Sequence, residues 1–244
     1  MSVWSWRAPQ GRSHPIYYCK NMFIISFLQK LFYPWKCLGC GEFDVVLCPR
    51  CRRELEFLEV RGWASMRGEN RLNIHSFFEY QEPSGLVRRL VKLLKYQSME
   101  SIIKCLEGIL LPSKRLFRND YGFDGKLYYV PVPLHWRRQC ERGFNQATLL
   151  ARIFKKIWQG EIVEDLFVRN QYTIAQASLD RAGRLDNLRG KFTLQTKVLE
   201  KLDKNARFIL VDDVITTGST MWVLVEELKK AGVNNFLALS LARD

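Results

Sequence analysis

The sequence predicts an α/β fold, in which an open parallel sheet is flanked by helices and follows a small cysteine-rich module. An apolar run, Phe208–Val211, leads into two acids, a loop of small residues and a helical stretch. A second succession of strand, loop and helix begins at Leu127. Strands that alternate with helical stretches are typical of parallel sheets. Two Cys-x-x-Cys pairs stand ahead of both.

Length and charge narrow the class of protein. The 244 residues allow one full domain with an appendage. The formal net charge of +13 favours acidic partners such as phosphorylated ligands or nucleic acid. A merely solvated basic surface is the alternative explanation of this charge. No apolar run reaches the ~20 residues that cross a bilayer, so we expect no membrane span.

Three regions are predicted along the chain. Residues 1–21 lack any usable period and are predicted to be a disordered tail, unless translation begins at Met22. A secretory signal fits poorly, because no small-residue cleavage site follows the short apolar run from Met22. Residues 22–60 are predicted to hold a short amphipathic helix and the cysteine module. Residues 61–244 are predicted to form the α/β domain.

Four cysteines, Cys37, Cys40, Cys48 and Cys51, form two closely spaced pairs. Two such knuckles can present four thiolates tetrahedrally, which is the arrangement of a structural zinc site. The alternatives are two disulfides or four unrelated thiols. Disulfides are disfavoured because the sequence shows no sign of secretion. The spacing therefore predicts zinc.

Apolar periodicity predicts the remaining elements. Helices are expected after Arg52 and over 84–96, 101–111, 147–158 and 221–230. Strands are expected over 74–80, 127–133, 162–169 and 234–242, and a polar connection is expected to lead to Asn73. Four cations give the 84–96 helix a basic face. They are Arg88, Arg89, Lys92 and Lys95.

The stretch Phe208–Thr220 predicts a ligand crevice at the carboxyl end of a parallel strand. The free amides of Thr217 to Thr220 would form an anion cradle at a helix start. Asp212 and Asp213 accept hydrogen bonds and so suit hydroxyl groups. A ribose 5-phosphate satisfies both, because its phosphate suits the amides and its hydroxyl groups suit the acids. A Walker loop is excluded because no lysine precedes Ser219, and a simple polar turn is the alternative.

A second loop is predicted at the same edge of the sheet. It carries arginines that match pyrophosphate oxygens, and an exposed basic turn is the alternative. These arginines are Arg137, Arg138 and Arg142. The polar stretch 170–191 is long and aperiodic, which is typical of an active-site lid.

The stretch from Phe208 to Thr220 resembles the phosphoribosyl pyrophosphate (PRPP) signature of type I phosphoribosyltransferases. From about Cys37 to Arg243, the chain resembles the ComF family. Besides the stretch above, the resemblance rests on the two cysteine pairs, Val130–His135, Arg142–Gln146, Arg169 with Thr173 and Gln176, and Asn187–Phe192. That family usually has proline where this chain has Trp136 and Ala175.

The resemblance implies a type I phosphoribosyltransferase-like domain with the following PRPP-binding residues: Val211, Asp212, Asp213, Thr216, Thr217, Gly218, Ser219 and Thr220. The acids would hold the ribose hydroxyls and act in catalysis, the loop would bind the 5′-phosphate, and Mg²⁺ would accompany PRPP. The family further implies a cytoplasmic protein of natural competence and DNA uptake, beside single-stranded DNA and a helicase-like partner. The expected activity is phosphoribosyl transfer. The alternative is a non-catalytic PRPP- or phosphate-binding adaptor for single-stranded DNA.

Overall fold

The structure is a computed structural model that describes residues 36–55, 60–65, 71–96, 100–111, 125–171 and 188–244. All of them belong to one compact unit, residues 35–244. The predicted tail, the helix predicted from Met22 and most of the predicted lid lie outside the described residues. No described helix has both the length and the apolar character needed to span a bilayer. The division into a module and a domain near residue 60 stays a prediction.

The described elements alternate between helices and strands. The helices are α1 (Pro49–Arg53), α2 (Leu86–Tyr96), α3 (Glu100–Leu110), α4 (Trp136–Arg142), α5 (Gln146–Ile157), α6 (Thr196–Leu199) and α7 (Ser219–Lys230). The strands are β1 (Val60–Ser65), β2 (Arg71–Glu79), β3 (Leu127–Pro131), β4 (Glu161–Ile162), β5 (Phe167–Arg169), β6 (Phe192–Leu194), β7 (Arg207–Ile215) and β8 (Phe236–Arg243).

One six-stranded sheet organises the described chain, in the order β1-β2-β8-β7-β3-β4. Strands β2, β8, β7, β3 and β4 are parallel neighbours, as predicted, and β1 pairs antiparallel with β2 at one edge. The carboxyl ends of β7, β8 and β2 therefore lie side by side. Strands β5 and β6 form a separate antiparallel pair.

Helices cover the sheet on both faces, which confirms the predicted α/β class. Leu94 of α2 and Phe154 of α5 pack with Val211 of β7 in one core. Leu224 of α7 and Phe192 of β6 pack in a second core with Leu210 of β7. Successive residues of a strand point to opposite faces of the sheet. Strand β7 thus contributes alternate side chains to the two cores.

Three sequence-based predictions of secondary structure were wrong. The predicted polar connection before Asn73 contains β1, whose extended backbone is supported by its pairing with β2. The predicted strand over 162–169 is two strands with a turn between them at Glu164 and Asp165, and each pairs with a different partner. The basic loop after His135 contains helix α4, which shows no apolar period in the sequence.

Candidate functional site

The four predicted zinc ligands lie together at the start of the described chain. Their sulfur atoms all lie within 4.8 Å of one another, and Cys40 Sγ is 3.6 Å from Cys48 Sγ. Cys37 and Cys40 lie on a tight turn. The Cys37 amide donates to Glu42 O at 2.7 Å, and Gly41 has φ +81°, which glycine adopts readily. Cys48 then caps helix α1, on which Cys51 lies.

The cluster has the chemistry of a metal site. All four thiols are free, and a separation of 3.6 Å is far longer than a disulfide bond of about 2.05 Å. The backbone amide of Cys48 donates to Cys37 Sγ at 3.3 Å, and that of Cys51 donates to Cys48 Sγ at 3.5 Å. Such bonds stabilise thiolates, and four thiolates in a small volume need a cation. The residues therefore fit a metal ion such as zinc.

Electrostatics within the cluster point the same way. Burial, followed by the neighbouring thiols, raises the pKa of Cys51 to about 12. Burial also acts to raise the pKa of Cys37, but backbone N–H donors, Cys48 first, outweigh it and lower that pKa to about 6. Four thiolates this close repel one another, so all four can be ionised together only if a positive ion offsets that repulsion.

The predicted phosphate loop follows β7 directly and opens α7. Gly218 has φ +75° and precedes the first helical residue, Ser219. Thr217 Oγ1 lies 2.9 Å from Ser219 Oγ and accepts a hydrogen bond from the Ser219 amide at 3.4 Å. The loop is anchored on its other side, where the Asp244 amide donates to Ile215 O at 3.1 Å. Because early helix amides have no partner within the helix, this is where an anion can bind.

The two adjacent acids of β7 have different surroundings. Asp213 is 5% exposed, and its Oδ2 lies 3.1 Å from Lys95 Nζ on α2. Its Oδ1 accepts the Val214 amide at 3.0 Å. Asp212 is half-buried, and its Oδ1 accepts the Asp213 amide at 2.8 Å. Burial, and then the charge of Asp213, raises the pKa of Asp212 well above its usual range.

A group of basic side chains, here called the basic cluster, comes from three separate segments. Its members are His135, Arg138, Arg169 and Lys191. Burial, and then the charge of Arg138, lowers the pKa of Arg169, whereas Asp212 opposes that shift. Burial, and then Arg169, lowers the pKa of Lys191, which is 8% exposed. Burial, and then Arg137 and Arg169, lowers the pKa of His135. Through Arg169, the cluster thus reaches the electrostatic surroundings of Asp212.

The three predicted pyrophosphate arginines lie on or at the end of α4, but they make different contacts. Arg138 belongs to the basic cluster. The Arg137 guanidinium stacks 5.3 Å from the centre of the Trp136 ring, and Arg142 Nη1 donates to Gln146 Oε1 at 2.9 Å. His135 begins the helix by accepting the Arg137 amide at 3.3 Å, and Gly143 ends it with φ +75°.

A groove of about 330 Å³ runs along α2, whose basic face the sequence predicts. It is lined by Tyr80, Arg88, Arg89, Val91, Lys92 and Lys95. Arg88 Nη1 donates to Gln81 Oε1 at 3.2 Å, and Arg89 Nη2 donates to Ser84 O at 2.7 Å. Neither arginine pairs with a carboxylate in the described part of the chain. Lys95, which lines the groove, also reaches Asp213.

Sequence reasoning missed two contributors to this region. The sequence predicts Lys95 as part of a basic face, but it does not predict the contact with Asp213, because that contact joins elements distant in the chain. Lys191 was noted within the Asn187–Phe192 motif, without a role. Its burial follows from its place immediately before β6, where the Asn170 amide donates to Lys191 O at 2.9 Å. A buried lysine is unusual unless it serves a partner or ligand.

Comparisons with known proteins complete the description. No model of a known protein family matches the chain. Among solved structures, an adenine phosphoribosyltransferase from Trypanosoma brucei, in complex with AMP, pyrophosphate and ribose-5-phosphate, is similar over 79% of each chain, with 12% identity and a TM-score of 0.35.

Two curated relatives match most of the chain. DNA utilization protein YhgH of Salmonella typhimurium is 31% identical over 209 residues, which are 85% of this chain and 88% of that protein. Competence protein F of Haemophilus influenzae is 27% identical over 230 residues, which are 87% of this chain and 98% of that protein. With this identity and coverage, the chain belongs to the ComF family of proteins associated with competence and DNA uptake.

Proposed function

We propose that the crevice at the carboxyl end of β7 binds PRPP or a related ribose phosphate and that the protein transfers the phosphoribosyl group. The observation that carries the proposal is the left-handed Gly218, which turns the chain from the acids of β7 into the first turn of α7. This turn leaves helix amides open to a phosphate one loop away from two carboxylates.

Each part of the ligand meets groups of matching chemistry. The 5′-phosphate would lie on Thr216 to Thr220, and the ribose hydroxyls would donate to the acids. Asp212 is the less buried residue of the two. The pyrophosphate would lie toward Arg138, in the basic cluster. Bound magnesium would neutralise pyrophosphate charge and retain several waters.

The reaction would be a displacement at the anomeric carbon. The lone pair of the acceptor forms the new bond, the bond from carbon to the pyrophosphate oxygen breaks, and pyrophosphate leaves with the electron pair. The acceptor proton passes to solvent or to the leaving group. Positive charge builds on the sugar in the transition state, and the Asp212 carboxylate would stabilise it. Cations of the basic cluster would stabilise the leaving group.

Pyrophosphate release is the test of this proposal. The protein would be incubated with PRPP and Mg²⁺, alone and with a panel of bases, amines and single-stranded DNA, and PRPP binding would be measured in parallel by calorimetry. We expect saturable binding and release that depends on one class of acceptor. Folded wild-type protein that does not bind PRPP in the presence of magnesium would overturn the proposal.

A second candidate function is an adaptor that binds PRPP without turnover and acts on single-stranded DNA in the cytoplasm, with a helicase-like partner. The groove favours it, because Arg88, Arg89 and Lys92 contact no carboxylate within the described segments. Trp136, 49% exposed beside the stacked Arg137, adds a surface on which bases can stack. PRPP binding without pyrophosphate release under any acceptor, together with DNA binding, would favour this candidate.

A further inference from the structure

The ion pair between Lys95 and Asp213 joins the groove along α2 to the crevice at the carboxyl end of β7. Lys95 lies in the last turn of α2, and its side chain is 30% exposed. Its Nζ is 3.1 Å from Oδ2 of Asp213, whose side chain is 7% exposed. Lys95 therefore both lines the groove and contacts an acid of β7.

The surroundings of Asp213 make this contact important. A buried carboxylate is costly unless a counter-charge and hydrogen bonds satisfy it. The Val214 amide satisfies Oδ1. The other oxygen, Oδ2, is buried and makes no aligned hydrogen bond in the described structure, so its ion pair with Lys95 is its compensation.

We infer that Lys95 is a positioning residue of the ribose site: it holds the Asp213 carboxylate in place and supplies the positive charge that the two adjacent acids share. This inference rests on the proposed function for its meaning in ligand binding. The ion pair itself does not depend on the identity of the ligand.

The charges that face Asp212 show how Lys95 acts on it. Burial and Asp213 raise the pKa of Asp212, and Lys95 acts to lower it. Arg169 is within electrostatic reach from β5. Loss of Lys95 would therefore raise the pKa of Asp212 further. Because the ionised acid accepts hydroxyl hydrogen bonds, binding that needs it is lost as the pH falls through this pKa, and without Lys95 the loss occurs at higher pH.

The first arm of the experiment needs no ligand. The full chain would be titrated by carboxyl ¹³C NMR as wild type, Lys95→Met, Lys95→Arg and the control Lys155→Met. Lys155 is an exposed lysine in the last turn of α5, so its loss changes the net charge equally. We expect the midpoint of Asp212 to rise by about one pH unit or more in Lys95→Met, because a close opposite charge shifts an acid by that amount. In Lys95→Arg and in Lys155→Met, the midpoint of Asp212 should stay at its wild-type value.

The second arm measures PRPP affinity against pH with Mg²⁺ present. In Lys95→Met, the fall in affinity at low pH should begin at higher pH than in wild type and in Lys155→Met. If Lys95→Met does not fold, the double variant Lys95→Met with Asp213→Asn should fold, because it leaves no buried lone charge.

The outcomes separate the two claims. Wild type that binds no PRPP, with the Asp212 shift present in Lys95→Met, would overturn the proposed function and support the positioning role. Titration curves that coincide for Lys95→Met and Lys155→Met would overturn the inference. So would a double variant that unfolds as readily as Lys95→Met.

Discussion

At the scale of single residues, Asp212 and Asp213 are neighbours in sequence with separate tasks. Asp213 is paired with Lys95, whereas Asp212 is the less buried residue and has no ion pair in the described part of the chain. Their position after an apolar strand could be predicted, because that pattern is continuous in the sequence. Their different surroundings could not, because they depend on which helix packs on each face of β7.

We expect Asp212→Asn to lower PRPP affinity about tenfold to a hundredfold. The substitution keeps the size of the side chain but removes a charged acceptor, and hydrogen bonds to charged groups contribute roughly 1.5–3 kcal/mol. Calorimetry with Mg²⁺ would measure the change. Asp165→Asn, at an exposed turn, is the control. Equal affinities for both variants would contradict the role of Asp212.

Gly218→Val should abolish PRPP binding and lower the free energy of unfolding. A left-handed backbone costs an L-residue roughly 1–2 kcal/mol, and more if it is β-branched. Gly232→Val is a matched control, because Gly232 has φ +88°, and a Cβ there would have no contact within 4 Å. Both variants should lose stability in denaturant titrations, but Gly232→Val should retain binding. Loss of binding in both would assign the effect to strain alone.

At the scale of elements, the cysteine hairpin, which is the turn closed by the antiparallel pairing of Lys36 with Phe43, forms a unit with α1 whose parts are local in sequence. This is why its ligand set could be predicted from spacing. Helix α4 could not be predicted, because it has no apolar period and begins at His135, which is not one of the usual N-capping residues. The pairing of β5 with β6 was equally hidden, since the stretch between them is polar and long.

The purified protein should contain about one zinc per chain, which is the stoichiometry of a four-thiolate site. Cys37→Ser should lose the metal and lower the melting temperature. Cys140→Ser, an exposed cysteine outside the cluster, should change neither. Emission spectrometry would measure the zinc content of wild type and both variants. Equal zinc in both variants would exclude Cys37 as a ligand.

Gly39→Ala tests the packing of the same element without removing any of the four thiols. A Cβ at Gly39 would lie 2.4 Å from Cys51 Sγ and 2.8 Å from Cys51 Cβ, so one of them must move. We expect weaker zinc retention during competition with a chelator. Retention equal to that of wild type would show that the hairpin can shift without disturbing its sulfur atoms.

At the scale of the whole molecule, the net charge of +13 predicts binding to polyanions, but it does not identify the surface that binds them. The structure places Arg88 and Lys92 on an open groove beside the crevice. No local pattern could predict this neighbourhood, because it depends on the order of strands in the sheet.

If the groove binds single-stranded DNA, affinity should fall steeply with salt. The slope of log affinity against log salt should flatten by about 0.7 for each phosphate contact removed. Arg88→Glu with Lys92→Glu should flatten it, whereas Lys155→Glu with Lys201→Glu, which changes the charge equally at exposed positions, should not. Fluorescence anisotropy at several salt concentrations would measure both. Equal slopes would locate DNA binding elsewhere.

The pairing of β2 with β8 has a consequence for how the protein is made. Ser76 and Ser240 hydroxyls lie 2.6 Å apart in neighbouring strands, although 164 residues separate them in the chain. β2 is therefore synthesised long before its parallel neighbour β8, and until the two pair this edge of β2 is open to other chains. A chain truncated before Phe236 should therefore aggregate more readily than the full chain, and it should not bind PRPP, because the crevice lacks β8.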